Sequence, residues 1–153
     1  MRINKRRCFG LLLALGVIIL ITVYSQSTNK AAYSRKTGDT ELLARVIRAE
    51  AEAEPYTGQV AVAAVILNRV QSPKFPNTLA GVIYQPRAFE SVSNGMVNRT
   101  PTESSRKAAN AALGGWDPSG GALFFFNPAK VGAKSYVWTR KIIQKIGKHV
   151  FAL

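Results

Sequence analysis

Three of the chain's eight acidic residues lie within five positions, at Glu50, Glu52 and Glu54. An apolar stripe with helical spacing leads up to them, beginning at Leu43 and continuing through Val46. The same spacing carries on to Glu50 and then to Glu54, so a carboxylate stands where an apolar residue is expected. Glu52 lies about 200° around the helix from Glu50 and is predicted to face solvent. A carboxyl group on an inward face can act as a proton donor near neutral pH.

Other catalytic groups are scarce in this sequence. The only cysteine, Cys8, lies beside an N-terminal apolar run, and the only histidine is His149. One histidine does not make a zinc site of the usual type, and the sequence has no glycine-rich phosphate loop. The residues therefore do not predict a zinc site of the usual type or a phosphate-binding loop. Some acids are explained by helix starts, and the carboxylates that remain as candidates are Glu50, Glu54, Glu90 and Asp117.

Carboxylates combined with many aromatic residues are typical of proteins that cut glycosidic bonds. The leaving oxygen needs a proton donor, and the oxocarbenium-like transition state needs a nearby carboxylate, a nucleophile or an internal hydroxyl. Aromatic faces can stack on the sugars. The residues predicted to bind substrate are Trp116, Phe126, Tyr136 and Trp138, and Tyr56 is a further candidate for the groove. His149 and Asn127 are interpreted as structural.

A helix, a tight corner and a second helix are predicted to position the glutamates. The first helix is expected to begin at Asp39 or Thr40. It is expected to end at about Glu54, because Pro55 disfavours helical geometry in the residue before it. Residues 60–67 are apolar on every side, which indicates a central, buried second helix.

The rest of the chain adds shorter elements. Thr57 is a plausible cap for the second helix, and Thr100 is predicted to cap a later helix that ends at Gly114. Aromatic and β-branched residues at 122–126 and 136–138 predict a β-hairpin. The remaining predictions are a helical turn at 78–84, a short helix at 140–146 and a strand at 148–152. The predicted fold class is α+β, mainly α, with a helical lobe and a small aromatic hairpin or sheet.

The N-terminus has the layout of a targeting segment. Basic residues precede an uncharged apolar run over residues 9–24, which predicts a signal peptide or an uncleaved signal anchor in residues 1–24. Residues 25–38 are predicted to be a linker, and residues 39–153 an exported domain. We therefore expect a location in the cell wall or on the outer face of the membrane.

The charge of the chain points to an anionic partner. The formal net charge is +13, and the fourteen Lys/Arg and eight Asp/Glu after residue 36 still leave +6. Such a balance suits a membrane surface, an anionic wall polymer or nucleic acid. Export argues against nucleic acid, because it separates the domain from it.

Five motifs in one order resemble the catalytic domain of the spore cortex-lytic enzymes, a cell wall hydrolase family of spore-forming bacteria. They are RAEAEAEPYTGQVAVAAVILNRV, FPNTLAGVIYQPRAFESV, GWDPSGGALFFFNP, VWTR and IGKHVF, and they extend over about residues 40–153. The resemblance implies a lysozyme- or lytic-transglycosylase-like helical fold that acts on peptidoglycan. It also implies that Glu50 is the general acid/base, and that Glu54 is the second glutamate of the family pattern.

The resemblance further implies a lytic transglycosylase reaction that needs no metal or organic cofactor. Glu50 would protonate the oxygen between N-acetylmuramic acid and N-acetylglucosamine, and would then act as base on the muramic 6-hydroxyl. The product would be a 1,6-anhydro end, and in spores the substrate would be cortex. Two alternatives stay open: a true muramidase that uses Glu54, Glu90 or Asp117 as a second carboxylate, and a non-catalytic basic module that binds the wall.

The chain departs from the family pattern at two levels. The pattern's glycines are Ala49 and Ala53 here, and its arginine is Glu52, which adds a negative charge near Glu50. Many members also carry an N-terminal peptidoglycan-binding domain, for which the sequence before Asp39 has no room. Substrate binding is then expected to depend on the basic charge and the aromatic residues, or on a membrane or wall partner protein.

Overall fold

The computed structural model describes residues 37–153. The predicted targeting segment at 1–24 lies outside these residues, as does the predicted linker up to residue 36. Across the part of the chain that is described, no helix has both the length and the apolar character needed to cross a membrane. Residues Gly38 to Leu153 form one compact unit.

Helix α1 covers residues 37–51, and its apolar stripe lies in the core. Leu43, Val46 and Ile47 are each 0% exposed. The helical period in the sequence therefore identified the inward face correctly. The described chain is already helical at residue 37, so the prediction that Asp39 or Thr40 caps this helix is wrong.

The corner after α1 begins earlier than the sequence predicts. Helix α1 ends at residue 51, three residues before its predicted end, and a short turn leads to Pro55. Helix α2, Tyr56–Gln71, begins immediately after this proline, which occupies its N-cap position. Thr57 therefore lies inside the helix, and its predicted role as the cap is wrong. Proline suits the start of a helix because the first helical N–H groups have no intrahelical partner.

Helix α2 is the centre of the core, as its uniformly apolar sequence predicts. Residues 60–66 are at most 3% exposed. Helices α3, Leu79–Ile83, and α5, Glu103–Leu113, both pack against it. The buried α5 side chains are short, with Ala108 and Ala109 at 0% exposure, and short side chains let helices approach closely.

Short helical segments connect α2 to α5. Helix α3 has Thr78 as its cap, and the Thr78 hydroxyl oxygen accepts a hydrogen bond of 3.1 Å from the N–H of Gly81. This confirms the predicted helical turn. Helix α4, Glu90–Ser93, and a 3₁₀ turn at Met96–Asn98 follow.

Helix α5 begins two residues later than predicted. Its cap is Thr102, whose hydroxyl oxygen accepts a hydrogen bond of 3.1 Å from the N–H of Ser105. The predicted capping role of Thr100 is wrong, because two threonines flank Pro101 and the second one makes the capping bond. The predicted end is confirmed, since Gly114 is the C-cap.

Three short antiparallel strands complete the fold. They are β1, Phe124–Phe126; β2, Ile142–Ile146; and β3, His149–Ala152. Strand β3 lies between the other two, and all four of its residues are buried. Strands β2 and β3 form a hairpin whose two-residue turn begins at Gly147, with φ of +59°. A positive φ at the first turn position favours glycine.

The predicted hairpin between residues 122–126 and 136–138 is wrong. Strand β1 pairs with β3, and Tyr136–Thr139 is a 3₁₀ turn. The helix predicted at 140–146 is also wrong, because this segment contains β2, whereas the strand predicted at 148–152 is confirmed as β3. An irregularity of register between Ile142 and Gln144 interrupts the period-2 pattern of β2, which hides the strand in the sequence. The overall class, α+β and mainly α with a small sheet, is confirmed.

A buried arginine joins α2 to the sheet. The Arg69 Nε atom donates a hydrogen bond of 2.8 Å to the carbonyl oxygen of Leu123. Its guanidinium carbon lies 5.3–5.6 Å from the ring centroids of Phe75, Phe89 and Phe124. Burial lowers the pKa of Arg69 from its ordinary value. The aromatic cage and the carbonyl together hold β1 against the end of α2.

We expect Arg69→Ala to lower the free energy of unfolding by about 2–4 kcal/mol, since it leaves the Leu123 carbonyl without its donor and removes three cation–π contacts. Urea unfolding followed by circular dichroism measures the change. Arg45→Ala, on the partly exposed face of α1, is the matched control and should change the value by less than about 0.5 kcal/mol. Equal losses in the two variants would contradict the structural role of Arg69.

Candidate active site

A cleft with two adjoining lobes lies where the end of α1 meets the sheet. The larger lobe has a volume of about 550 Å³ and the smaller one about 230 Å³. The residues that line both lobes are Ala49, Glu50, Met96, Asn127, Lys130 and His149. Because these residues are shared, the two lobes meet at Glu50.

Glu50 lies in the last turn of α1 and is half-buried. The apolar stripe of α1 faces the core, and this orientation turns Glu50 towards the cleft. Among residues 37–153, its carboxylate makes no hydrogen bond and no ion pair. Both carboxylate oxygens are therefore available to a ligand in either lobe.

The carboxylate of Glu54, four residues after Glu50, is held by contacts within the protein. Its Oε2 atom accepts a hydrogen bond of 2.8 Å from the backbone N–H of Lys148. Its Oε1 atom lies 4.0 Å from Nδ1 of His149. Glu54 is only 9% exposed and lines the smaller lobe. It therefore connects the corner between α1 and α2 to the turn of the β2–β3 hairpin.

The turn of the β2–β3 hairpin packs tightly against Glu54. A Cβ atom at Gly147 would overlap Oε2 of Glu54 and would lie 2.8 Å from Cδ of Pro55. Real Cβ atoms essentially never approach other heavy atoms below 3.0 Å. The absence of a side chain at Gly147 is thus a condition for the contact between the corner and the sheet.

His149 enters the cleft from the first position of β3. Its ring packs edge-on against Phe125, with centroids 5.3 Å apart, and its Nδ1 atom is buried without a hydrogen-bond partner among the described residues. Burial lowers the pKa of His149, the charges of Glu54 and Glu50 oppose this shift, and the charge of Lys130 adds to it. The imidazole is therefore neutral at neutral pH.

Asp117 organises the loop that leads to β1 and does not line either lobe. Its carboxylate accepts hydrogen bonds from the backbone and hydroxyl groups of Ser119, the N–H of Gly121 and the side chain of Asn68. Burial alone would raise the pKa of Asp117, but these hydrogen bonds outweigh it and hold the pKa below its ordinary value. The structure thus places Asp117 in a loop rather than in the cleft.

Glu90 is the second carboxylate of the larger lobe. It is the first residue of α4, it is exposed, and it lines this lobe together with Glu50. No group of three or more His, Cys, Asp or Glu side chains suited to hold a metal ion occurs in the described part of the chain.

Glu52 is exposed at the rim of the smaller lobe, as predicted, although it lies in the turn after α1 and not in the helix. It lies 3.3 Å from Nε of Arg48 and 4.0 Å from a guanidinium nitrogen of Arg99. Arg48 also donates a hydrogen bond to the carbonyl oxygen of Thr100. These contacts fasten the end of α1 to the segment before α5.

The aromatic residues predicted to bind sugar divide into two groups. Phe126 lines the larger lobe, and Trp138 packs edge-on against it with centroids 4.9 Å apart. Trp116 instead packs on Tyr56, at 6.0 Å, and neither of these two lines the cleft. Tyr136 is 63% exposed and lies outside both lobes as well.

Sequence reasoning missed several residues of the cleft. Lys130 and Met96 were not singled out, and His149 and Asn127 were interpreted as structural, yet all four line both lobes. Their positions depend on how β3 pairs in the sheet, which local patterns do not reveal. The sequence feature that could have drawn attention to His149 was the glycine turn directly before it.

Comparison with known proteins identifies the family. Residues 53–152 match the Cell Wall Hydrolase family. The chain belongs to this family. The matched region begins three residues after Glu50 and includes the hairpin, the sheet and all the helices from α2 onward.

Two curated relatives illustrate the range of similarity within the cell wall hydrolases. A spore cortex-lytic enzyme of Bacillus cereus is 54% identical over 113 residues, which is 74% of this chain and 43% of that protein. The cell wall hydrolase CwlJ of Bacillus subtilis is 35% identical over 99 residues, which is 60% of this chain and 69% of that protein. The chain thus spans less than half the length of the spore cortex-lytic enzyme.

Two solved structures have the same fold. The catalytic domain of the Bacillus cereus SleB protein matches with a TM-score of 0.72 and 52% identity, over 76% of this chain and 91% of that one. The catalytic domain of the germination-specific lytic transglycosylase SleB from Bacillus anthracis matches with a TM-score of 0.71 and 52% identity, over 75% and 93%. The resemblance to the spore cortex-lytic enzymes is confirmed.

We expect Gly147→Ala in this cell wall hydrolase to displace the Glu54 carboxylate and to lower the free energy of unfolding. Gly121→Ala is the matched control, because Gly121 also has a positive φ, of +81°, but a Cβ atom there would meet no other atom within 4 Å. Both variants carry the backbone strain of about 1 kcal/mol, so the difference between their unfolding free energies reports the clash alone. Equal effects would contradict the close fit at Glu54.

Stability of this cell wall hydrolase is expected to depend on the protonation of His149. Its pKa is lower in the folded protein than the ordinary value of 6.5, so the unfolded chain binds the proton first as the pH falls. The contribution of His149 is therefore fully present above about pH 6.5 and is lost below it. His149→Gln should flatten this part of the stability profile, measured by urea unfolding between about pH 7.5 and pH 5. The chain has no other histidine to obscure the comparison.

Proposed function

We propose that this protein is a lytic transglycosylase that cleaves peptidoglycan glycan strands between N-acetylmuramic acid and N-acetylglucosamine, with Glu50 as the general acid and base. The observation that carries the proposal is the free carboxylate of Glu50 at the meeting point of the two lobes. Membership in the cell wall hydrolases supports the substrate class. The name of the Bacillus anthracis relative, a lytic transglycosylase, supports the reaction type.

The state of two other candidate carboxylates supports a mechanism with one catalytic acid. Glu54 accepts a backbone hydrogen bond, and the oxygens of Asp117 are occupied within its own loop. A transglycosylase needs only one carboxylate, because the nucleophile is the substrate's own hydroxyl group. An inverting or retaining hydrolase requires a second carboxylate at a defined separation.

The proposed reaction proceeds in two steps at Glu50. In the first step the Glu50 carboxyl group donates its proton to the bridging oxygen, and the bond from that oxygen to the muramic anomeric carbon breaks. In the second step the Glu50 carboxylate removes the proton of the muramic 6-hydroxyl, whose oxygen bonds to the same carbon. The products are a 1,6-anhydromuramic end and a free N-acetylglucosamine hydroxyl, and Glu50 regains its proton.

The shape of the cleft suits a strand that passes on both sides of Glu50. The two lobes would hold the sugars on either side of the bond that breaks, and Phe126 in the larger lobe offers an apolar wall to a sugar. Holding both sugars in place converts the ring closure into a well-oriented intramolecular step. The neutral imidazole of His149 would border the strand without adding a charge to the reacting centre.

A true muramidase is the second candidate function, and the position of Glu90 favours it. Glu90 is exposed and lines the larger lobe with Glu50, so it is the carboxylate placed to activate a water molecule there. In that reaction Glu50 would still protonate the leaving oxygen, and the new end would be a reducing sugar.

We further propose that the protein acts outside the cytoplasmic membrane, on the cell wall or the spore cortex. The sequence of residues 1–24 supports export. The name of the spore cortex-lytic relatives supports cortex as the form of peptidoglycan.

Glu50→Gln is expected to leave the fold intact and to reduce wall lysis by at least about 100-fold, because the amide cannot transfer a proton. Loss of turbidity of purified sacculi measures the activity, and urea unfolding checks the fold. Glu103→Gln, which is exposed on α5 and lies outside both lobes, is the matched control and should retain most of the activity. Wild-type lysis by Glu50→Gln would overturn the catalytic assignment.

Mass spectrometry of the released muropeptides separates the two candidate reactions. A transglycosylase yields anhydro ends that are lighter by one water than the reducing ends left by a muramidase. Anhydro ends from both the wild-type protein and Glu90→Gln would support the first proposal. Reducing ends that disappear in Glu90→Gln would support the second.

A further inference from the structure

The charges of the described chain are distributed unevenly between its two parts. Residues 37–117, which hold helices α1 to α5, carry eight Lys/Arg and eight Asp/Glu and are formally neutral. Residues 118–153, which hold the sheet, carry six Lys/Arg and no acidic side chain. The whole net charge of +6 in residues 37–153 therefore belongs to the sheet part.

Ion pairing shows the same division. In the helical part, Glu41 pairs with Arg106 at 3.1 Å, and Glu103 pairs with Lys107 at 3.5 Å. In the sheet part all six basic residues are exposed, and none of them forms an ion pair with any residue that the structure describes. We call these six residues the cationic surface: Lys130, Lys134, Arg140, Lys141, Lys145 and Lys148.

Two members of the cationic surface lie at the cleft. Lys130 lines both lobes and Lys148 lines the smaller one, so two of its members border the position of Glu50. Arg140 stacks on Phe124, with its guanidinium carbon 4.2 Å from the ring centroid, at the start of the strand that ends at Phe126. A glycan strand that lies across Glu50 therefore has unpaired positive charge close to it on the sheet side.

We propose that the cationic surface binds the carboxylates of the stem peptides that project from the glycan strand. This inference rests on the proposed function and names the part of the substrate that the sheet recognises. Stem peptides carry free carboxylates, whereas the neutral sugars offer no charge to an unpaired lysine. Unpaired cations on the side of a cleft attract and orient an anionic ligand, and salt weakens the attraction.

The position of the surface favours stem peptides over an anionic membrane as its partner. Two of the six cations border the lobes where the glycan strand is proposed to lie. A stem peptide attached to that strand can reach these two cations while the strand occupies the cleft. A lipid headgroup is not attached to anything that lies in the cleft. In the test below, binding to anionic vesicles is therefore measured as the alternative to binding to stem peptides.

The test compares two double variants with the same change in charge, each in the full chain carrying Glu50→Gln, so that the wall is not degraded. Lys141→Glu with Lys145→Glu alters the cationic surface away from the cleft lining. Lys74→Glu with Lys107→Glu alters the helical part and serves as the control. Co-sedimentation is measured with intact sacculi, with sacculi whose peptide carboxylates have been converted to amides, and with vesicles that contain anionic phospholipid.

We expect the sheet variant to bind intact sacculi about 10-fold more weakly than the control, with the difference shrinking as salt rises. The two variants should bind the amidated sacculi equally. Equal binding of both variants to intact sacculi would overturn the inference, as would a difference that persists on amidated sacculi or appears only on vesicles. These outcomes are independent of catalysis, so a failure of the proposed reaction, seen in the muropeptide products, is distinguishable from a failure here.

Discussion

The contact on which the cleft depends is the hydrogen bond from the Lys148 N–H to the Glu54 carboxylate. It joins the corner between α1 and α2 to the β2–β3 turn across 94 positions of sequence. It thereby joins the end of the corner to the start of β3, and Glu50 and His149 border the same cleft beside this contact. Gly147 permits this contact because its missing side chain leaves room for the carboxylate. A buried carboxylate satisfied by a backbone donor is thus used for positioning.

The three glutamates at the corner have different surroundings, because the backbone changes direction between them. Glu50 is still helical and faces the cleft, Glu52 is in the turn and pairs with arginines, and Glu54 is past the turn and inside the protein. Only Glu50 of the three has a carboxylate that makes no hydrogen bond or ion pair with the residues that the structure describes. The chemical role proposed for Glu50 therefore follows from its surroundings, since all three residues have the same side chain.

Much of the helical lobe could be predicted from the sequence, because helical contacts are local. The stripe at Leu43 and Val46 and the uniformly apolar run of α2 indicated which faces are buried. The sheet could not be predicted in the same way. Its middle strand pairs with partners that lie far apart in the chain, and a register irregularity masks the alternation of β2. His149 was missed for the same reason, since only the pairing of β3 brings it to Glu50.

The order of the strands has a consequence for how the protein folds. Strand β3 is the middle strand of the sheet but the last of the three in the chain. Strands β1 and β2 therefore have no partner until β3 is in place, and closing the long loop to the Glu54 corner has an entropic cost that rises with its length. Because the sheet depends on contacts between distant parts of the chain, we expect the cleft to form after the individual helices. A partly folded molecule would have its core helices but no wall opposite Glu50.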